Sequence, residues 1–330
     1  MNLMIVSVLN YINELNIFQL IQNKKYIMKQ FINLFNFTFI SMVILSSINT
    51  SAQESETNFK VMTYNIWNGF DWGKDTIRKE NWIKWIKSEN PDVLALQELC
   101  GYDQEKLKKD ALKWGHEYVQ ILKTEGYPVG ITSKKPIMLK ERVIDNFWHG
   151  FLHCKTSGID FFVVHLSPAD VDFRLKEAHI LAEKIKKVKS EKFIVLGDFN
   201  AHSPFDEDLL KRNNSLQQHY LNDKNESNYS NLRLGEFDYS VISAFLAVPA
   251  IDVSKNFIEI NNRFTYPTPV LIGTYQTATE VIQNKQRIDY ILTSPIMSKS
   301  CKNVTIFNEG KPEGLSDHYP IMAEFNFVNK

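Results

Sequence analysis

Phe193-Ile194-Val195-Leu196-Gly197-Asp198-Phe199-Asn200 is a run of four large apolar residues that closes on a glycine, an acid and an amide. Such a run, bounded by turn formers, reads as a short buried strand. Asp198 and Asn200 lie two residues apart, so in extended backbone they share a face while Phe199 points into the core. On the N-terminal side, residues 173–188 have the apolar spacing of an amphipathic helix. Residues 147–155 and 159–166 before it read as a hairpin turning at Thr156-Ser157-Gly158.

Further out, residues 59–64 alternate like a half-buried strand and end in a polar cluster, Asn65 to Gly69. Residues 75–88 carry Ile77, Trp82, Ile83, Trp85 and Ile86 at near-helical spacing, and Asn90-Pro91 stops that helix. A strand over 92–97 and a helix over 107–114 follow. Later strands are expected at 286–293, 303–307 and 320–327. Strands that alternate with helices and hairpins, without a long βαβ series, predict an α+β sandwich of two sheets covered by helices. The polar, Asn-rich stretch 206–236 reads as a long surface insertion near the site, with a loose functionless loop as the plain alternative.

The chain has 330 residues, 44% hydrophobic and 23% charged, with a net charge of zero. That balance excludes nucleic-acid binding through bulk positive charge, though not through a local patch. Cys100, Cys154 and Cys301 show no metal-ligand spacing. One disulfide with one thiol, or three thiols, are the two readings. Residues 31–48 are strongly apolar, follow Met28-Lys29-Gln30, and end at Thr50-Ser51-Ala52, small residues suited to cleavage before Gln53. The run is interrupted by Asn33, Asn36 and Ser41, so an exported chain is expected, with an N-terminal anchor helix as the alternative. Residues 1–52 are therefore assigned to a signal peptide, with 28–52 as its core and 1–27 as a segment ahead of a second start at Met28. Residues 53–330 are assigned to one domain. Loss of residues 1–52 removes Lys24, Lys25, Lys29 and Glu14, leaving 35 basic and 37 acidic side chains. No integral membrane domain is expected, and a monomer is.

Five polar clusters close strands: Thr63-Tyr64-Asn65-Ile66-Trp67-Asn68; Leu96-Gln97-Glu98; Val163-Val164-His165-Leu166-Ser167; Gly197-Asp198-Phe199-Asn200; and Arg287-Ile288-Asp289-Tyr290 with Ser316-Asp317-His318. Unpaired ionisable groups turned inward are costly, whereas strand ends that gather acids, amides and histidines suit hydrolysis at a metal. An anionic phosphoester repels hydroxide, so its hydrolysis needs a cation to offset charge and a base to activate water. Mg²⁺ takes oxygen ligands and keeps several waters, so one or two carboxylates suffice. Mn²⁺ is the alternative ion. Glu98 is the leading metal ligand and Asp317 a second, with Asn65 to hold a metal-bound water or a phosphate oxygen. His318, beside an acid at a strand-end turn, suits a water-activating base, and Asp289 suits the carboxylate that orients it. Asp198 and Asn200 are placed to position water and phosphoryl oxygens, and His165 to donate to the charged transition state. Asn68 and His202 are candidate substrate contacts.

At these residues the chain resembles the endonuclease/exonuclease/phosphatase superfamily, which shares the deoxyribonuclease I-like fold. The resemblance runs from about Phe59 to Phe327, with the clusters in family order. It implies a four-layer α/β sandwich of two mainly antiparallel sheets flanked by helices. It also implies a divalent metal held chiefly by Glu98 and a single-displacement attack by water. His318 would pair with Asp289, Asp198 and Asn200 would lie near the scissile phosphate, and His165 would contact the phosphate or leaving group. Members differ over whether the histidine or the aspartate of the fourth cluster is the base, and both stay open. Many nucleases of the group carry an acid shortly after the first-cluster asparagine, where this chain has Trp67 and Asn68. The wording Tyr64-Asn65-Ile66-Trp67-Asn68-Gly69 and the run Gly197 to Pro204 are similar to exported bacterial members.

Plainer roles compete. Asn65 and Asn200 could be turn-capping amides, and Asp289 a partner of Arg287, although adjacent strand residues face opposite ways. His149 and His153, two strand-steps apart, read as packing or rim residues. His116, His179 and His219 read as ordinary helix or loop residues. Trp82, Trp85 and Trp114 read as core, and one of Trp67, Trp72 and Trp148 as lining a cleft. Lysines 184–192 read as a solvated helix end. The leading function is a metal-dependent phosphoester hydrolase acting on a phosphodiester or phosphomonoester. The alternatives are a DNA or RNA endonuclease, a sphingomyelinase-like lipid phosphodiesterase, and a non-catalytic binding protein on the same fold. Neutral charge and the aromatic 67–72 loop lean toward a non-nucleic substrate.

Overall fold

The computed structural model describes residues 2–47, 56–188, 190–213, 215–225 and 230–328. The expected cleavage site before Gln53 lies outside them. The chain divides into residues 1–55 with Lys330, and residues 56–329. The first unit contains one helix, α1 (Asn2–Ser47). No helix among the described residues is long and apolar enough to cross a membrane.

The second unit runs β1 (Glu56–Asn65), α2 (Trp67–Trp72), α3 (Thr76–Glu89), β2 (Val93–Gln97), α4 (Gln104–Ala111), β3 (Tyr118–Ile121), β4 (Gly130–Ser133), β5 (Met138–Val143), β6 (Phe151–Thr156) and β7 (Ile159–His165). It continues with α5 (Val171–Lys187), β8 (Phe193–Asp198), α6 (Glu207–Arg212), α7 (Ser215–Asn225), β9 (Leu232–Arg233), β10 (Glu236–Phe237), α8 (Ser240–Leu246) and β11 (Ile251–Asp252). Helices α9 (Ser254–Phe257) and α10 (Ala278–Gln283), strand β12 (Asp289–Thr293), helix α11 (Pro295–Ser300) and strands β13 (Cys301–Ile306) and β14 (Ile321–Val328) complete it.

Two six-stranded sheets form, ordered β13-β14-β1-β2-β4-β3 and β11-β12-β8-β7-β6-β5. Each is mixed, with a single parallel pair near its middle, β1 with β2 and β7 with β8. The alternation in each strand explains the layers. Val61, Val93 and Val163 face a core between the sheets together with Ile194 and Ile291. Their neighbours Met62 and Leu94 pack under Trp82, Trp85 and Ile86 of α3. On the other sheet Phe162, Val164 and Leu292 pack under Leu181 of α5 and Phe245 of α8. The result is the expected four-layer sandwich, and the inner strands read as near-continuous apolar runs because both faces are buried.

Several boundaries differ from expectation. The hairpin's first strand begins at Phe151, because Gly150 turns at φ 94° and frees residues 147–150 as a loop. His149 and His153 therefore do not share a strand face. The described residues of 206–236 are not the loose loop of the alternative reading: α6, α7 and the β9–β10 hairpin form, anchored by buried Leu209, Leu210 and Leu232, and His219 and Asn231 reach the cleft. The strand expected from residue 286 starts at Asp289, and Gln286 makes only an isolated bridge with Tyr266. All three cysteines are buried thiols.

His116 is fully buried, with Nδ1 2.7 Å from Thr132 Oγ1 and Nε2 2.8 Å from the Pro91 carbonyl. Burial pulls its pKa down to about 4. A base with a depressed folded pKa stabilises the fold above its unfolded value and loses that contribution as the pH falls toward the folded value. Between about pH 7.5 and about pH 5 the loss should be about 2 kcal/mol. Buried His149 and His202, lowered to about 4 and about 3, give both proteins a loss of the same sign, so in urea unfolding the wild type should lose this much more than His116→Gln between the two pH values. Equal slopes would mean that His116 is not the titrating group.

Candidate active site

The strand register builds the site. In the second sheet His165 is paired with Asp198, and Asp198 with Asp289, so three strands present one polar row. In the first sheet Asn65 is paired with Gln97, and Glu98 follows it at φ 59°. Both parallel pairs end here, in the position where sheets leave a crevice beyond their carboxyl ends. Gly197 permits the close approach: at φ 139° a Cβ there would lie 2.0 Å from the Val164 carbonyl oxygen.

Glu98, His165, Asp198, Asn200, Asp317 and His318 line one cleft of about 520 Å³. His318 Nδ1 lies 2.9 Å from Asp289 Oδ2, and its Nε2 lies 3.8 Å from Asp198 Oδ2. Asp198 accepts from the Asn200 backbone N–H at 2.9 Å and from Asn65 Nδ2 at 3.1 Å. The same Asn65 amide donates to Glu98 Oε1 at 3.1 Å, while its Oδ1 accepts from the Trp67 N–H. Asn65 thus ties Glu98 to Asp198, with its carbonyl oxygen already engaged. The Asn200 side chain donates to the Leu166 carbonyl, and His165 Nε2 stands 3.6 Å from Asp198 Oδ2. His165 Nδ1 and Asp289 Oδ1 are buried without a hydrogen-bond partner among the described residues. Arg287 leaves Asp289 alone and pairs instead with Asp206 and Asp252.

Burial and the neighbouring Asp289 push Asp198 up to about 7, against the pull of His318. Burial raises Asp317 to about 6, with His318 lowering and Glu98 raising it. Burial alone would depress His318, but Asp289, Asp317 and Asp198 outweigh it and hold the imidazole well above its usual value. Three acids thus converge on one imidazole, with Glu98 acting on the third, an arrangement that a divalent cation would balance. The ligand atoms of Asp198, Asp289 and His318 lie within 4.8 Å of one another. Asp289 and His318 are bonded to each other, and the Glu98 oxygens accept from Asn65 and from the Asn68 N–H.

A left-handed turn supports Glu98. Trp67, Asn68, Phe70, Asp71 and Trp72 all have φ between 50° and 61°, a conformation costing roughly 1–2 kcal/mol per residue. It is held by Arg78, whose guanidinium donates to the Ile66 and Trp67 carbonyls. Gly69 fits within it where a Cβ would lie 2.2 Å from the Cys100 carbonyl oxygen. The turn aims the Asn68 N–H at Glu98 Oε2, 2.6 Å away. Strain of this kind persists where surrounding contacts over-determine it.

The expected contacts Asn68 and His202 line the cleft, and His202 Nε2 lies 2.7 Å from Gln286 Oε1. Trp67 and Trp148 line it as well, joined by Tyr127. His149, read as a packing or rim residue, is stacked on His165 at 4.1 Å at the cleft wall, and an unforeseen member is His219, 5.6 Å from the His202 ring. His219, read as an ordinary helix or loop residue, lies on α7 and lines the cleft. Arg174 was also missed, although the signal was present: it lies on the buried stripe of α5 with Ala178, Leu181 and Ile185. His153 faces a different hollow and pairs with Asp160 at 2.9 Å.

The fold is similar to that of an AP endonuclease from Archaeoglobus fulgidus, with TM-score 0.60 and 20% identity over 81% of this chain and 99% of that one. It is likewise similar to the 3'-5' exonuclease NExo from Neisseria meningitidis, with TM-score 0.57 and 22% identity over 82% and 100%. In sequence it is 24% identical over 276 residues to the "Probable CCR4-Not complex 3'-5'-exoribonuclease subunit Ccr4" of Vairimorpha ceranae, covering 66% of this chain and 54% of that protein. The chain thus spans about half the length of that curated relative. The model of the Endonuclease/Exonuclease/phosphatase family matches residues 62–318, from β1 to the imidazole that closes the cleft, so the chain belongs to that family.

Proposed function

We propose that this chain is a Mg²⁺-dependent hydrolase that delivers water to a phosphoester in the cleft. The observation that carries this reading is the meeting of His318, bonded to Asp289 and facing Asp198, with Glu98 and Asp317 in one cleft. Glu98 and Asp317 would hold the cation, with Asn65 fixing Glu98 against Asp198. The bound ion would supply charge neutralisation at the phosphoryl oxygens. Asp289 fixes the imidazole through Nδ1 and leaves Nε2 toward the cleft; a bound cation would offset the acids that keep this ring protonated, and so free Nε2 to take a proton from water. Asn200 and His165 would donate to phosphoryl oxygens, and Asp198 would orient the attacking water or share the role of base.

The flat rings of Trp67, Tyr127 and Trp148 along the cleft suit a substrate that also carries a flat ring, and stacking on a nucleobase is worth roughly 1–3 kcal/mol. The relatives named above are nucleases by description, and one Neisseria structure is described as a 3' phosphatase bound to a product DNA hairpin. Both considerations favour a nucleic-acid phosphoester over a lipid one, against the lean drawn from net charge.

A panel of plasmid DNA, RNA, sphingomyelin, inositol phosphates and bis-p-nitrophenyl phosphate, assayed with Mg²⁺, Mn²⁺ or EDTA, tests the proposal. Activity should vanish in EDTA, return with Mg²⁺, and fall by roughly 10²-fold or more in Glu98→Ala. A full metal-dependent rate in Glu98→Ala would sink the site assignment. We further propose export of residues 53–330 as one domain. N-terminal sequencing of the mature product should begin at Gln53, whereas an uncleaved, membrane-bound chain would favour the anchor.

A further inference from the structure

Arg174 is a buried guanidinium whose strongest electrostatic partner, Glu177, is not directly bonded to it among the described residues. The residue is 3% exposed. Its Nη1 donates to the Ser167 carbonyl and its Nη2 to Asn231 Oδ1 at 2.9 Å, while Nε has no hydrogen-bond partner. It makes no ion pair among the described residues, and the nearby acids are otherwise engaged. Glu177, one turn along α5, accepts from the Trp148 and Ser167 backbone N–H groups. Asp238 is bonded to Arg233 and Ser240, and Asp198 to Asn65 and Asn200. Burying a guanidinium that no carboxylate pairs with directly is costly. Two bonds to neutral oxygens do not require a full charge, so anchoring the 166–167 loop does not account for an arginine here.

Its place in the cleft supplies the missing role. Arg174, Asn231, His202 and His219 line the same cleft as Asn200 and His165. Asn200 holds the Leu166 carbonyl and Arg174 holds the next one, Ser167, so the guanidinium follows directly on the phosphate-facing amide. Arginine favours phosphate because its planar fork offers paired donors and remains charged when desolvated. We propose that this end of the cleft is a subsite for a second phosphoryl group of the substrate, beside the one that is hydrolysed. This rests on the hydrolase reading above and narrows it. A nucleic-acid strand or a bisphosphate fills both positions, whereas a lipid with one phosphodiester leaves Arg174 without an anion.

The test uses the full chain stripped of metal with EDTA, in which the acids around Glu98 repel anions and Arg174 does not. Calorimetric titration with inorganic phosphate should show one site. Asn231→Asp keeps the acceptor for Nη2 but supplies a counter-ion in place of the ligand, and should weaken phosphate at least roughly tenfold. Arg174→Met should do the same, and if it fails to fold, Asn231→Asp carries the test. In competition against bis-p-nitrophenyl phosphate hydrolysis, a nucleoside 3',5'-bisphosphate should bind wild type at least roughly tenfold tighter than the 5'-monophosphate, an advantage lost in Asn231→Asp. No phosphate binding by wild type, unchanged binding in Asn231→Asp, or no preference for the bisphosphate would each overturn the subsite. Hydrolysis of bis-p-nitrophenyl phosphate, which has a single phosphate, reads the hydrolase proposal separately. Activity without phosphate binding removes the subsite alone, and phosphate binding without activity removes the hydrolase reading and leaves the anion site.

Discussion

Replacing His318 with alanine is expected to lower kcat by about 10²–10⁴-fold, the usual contribution of a positioned acid or base. The imidazole is held at one end only: Nδ1 meets Asp289 at 2.9 Å, while Nε2 approaches Asp198 no closer than 3.8 Å. Nε2 is therefore the nitrogen left for water or a phosphoryl oxygen. Asp289 does its part by fixing the tautomer, so Asp289→Asn, which puts an amide against Nδ1, should cost about as much as losing the ring. Because the two act as one unit, the double variant should be no slower than the worse single variant. Steady-state kinetics of the three variants decide the matter. Losses that multiply would show that Asp289 and His318 act separately, and would move the role of base toward Asp198.

The parts of this site that were legible in the sequence are those where local pattern and tertiary position coincide. An apolar strand that ends in Gly197-Asp198-Phe199-Asn200 must place its acid at a strand end, and the parallel partner β7 places His165 in register with it. The strands β3, β4 and β5 were not legible. Tyr118–Ile121 and Gly130–Ser133 are four residues long, and Met138–Val143 is an edge strand with mostly exposed side chains and a register shift. The left-handed turn at 67–72 has one glycine among six residues, so its conformation comes from Arg78 and the Cys100 backbone rather than from local preference. Region 206–236 looked loose because its anchors are few. Leu209 and Leu210 pack from a single helical turn, and Asp206 is held by arginines distant in sequence. Arg174 was hidden for a related reason: a lone charge on an apolar helical stripe has meaning only once the opposite wall of the cleft is known.

Arg287→Met is expected to cost roughly 3–5 kcal/mol of stability, more than any surface change, because it breaks a buried ionic cluster from its centre. Arg287 is 1% exposed and reaches two carboxylates. Nε donates to Asp206 Oδ2 at 2.7 Å, and Nη1 and Nη2 hold Asp252 at 3.0 and 2.6 Å. Removal leaves Asp252 buried with no cation, whereas Asp206 keeps Arg263 at 3.2 Å. For a domain of this size the fall in Tm should be on the order of 10 °C. The damage should reach the site as well, since Arg287 precedes the strand that starts at Asp289, and its carbonyl accepts from the buried Tyr290 hydroxyl. The argument turns on the orphaned charge and not on the arginine as such. Arg287→Met combined with Asp252→Leu removes the uncompensated carboxylate and should recover a large share of the lost stability. Thermal unfolding of the two single variants and the double variant closes the cycle. A double variant no more stable than the sum of the single losses would mean that packing around Tyr290, whose ring lies 4.5 Å from the guanidinium carbon, and not charge pairing, is what Arg287 contributes.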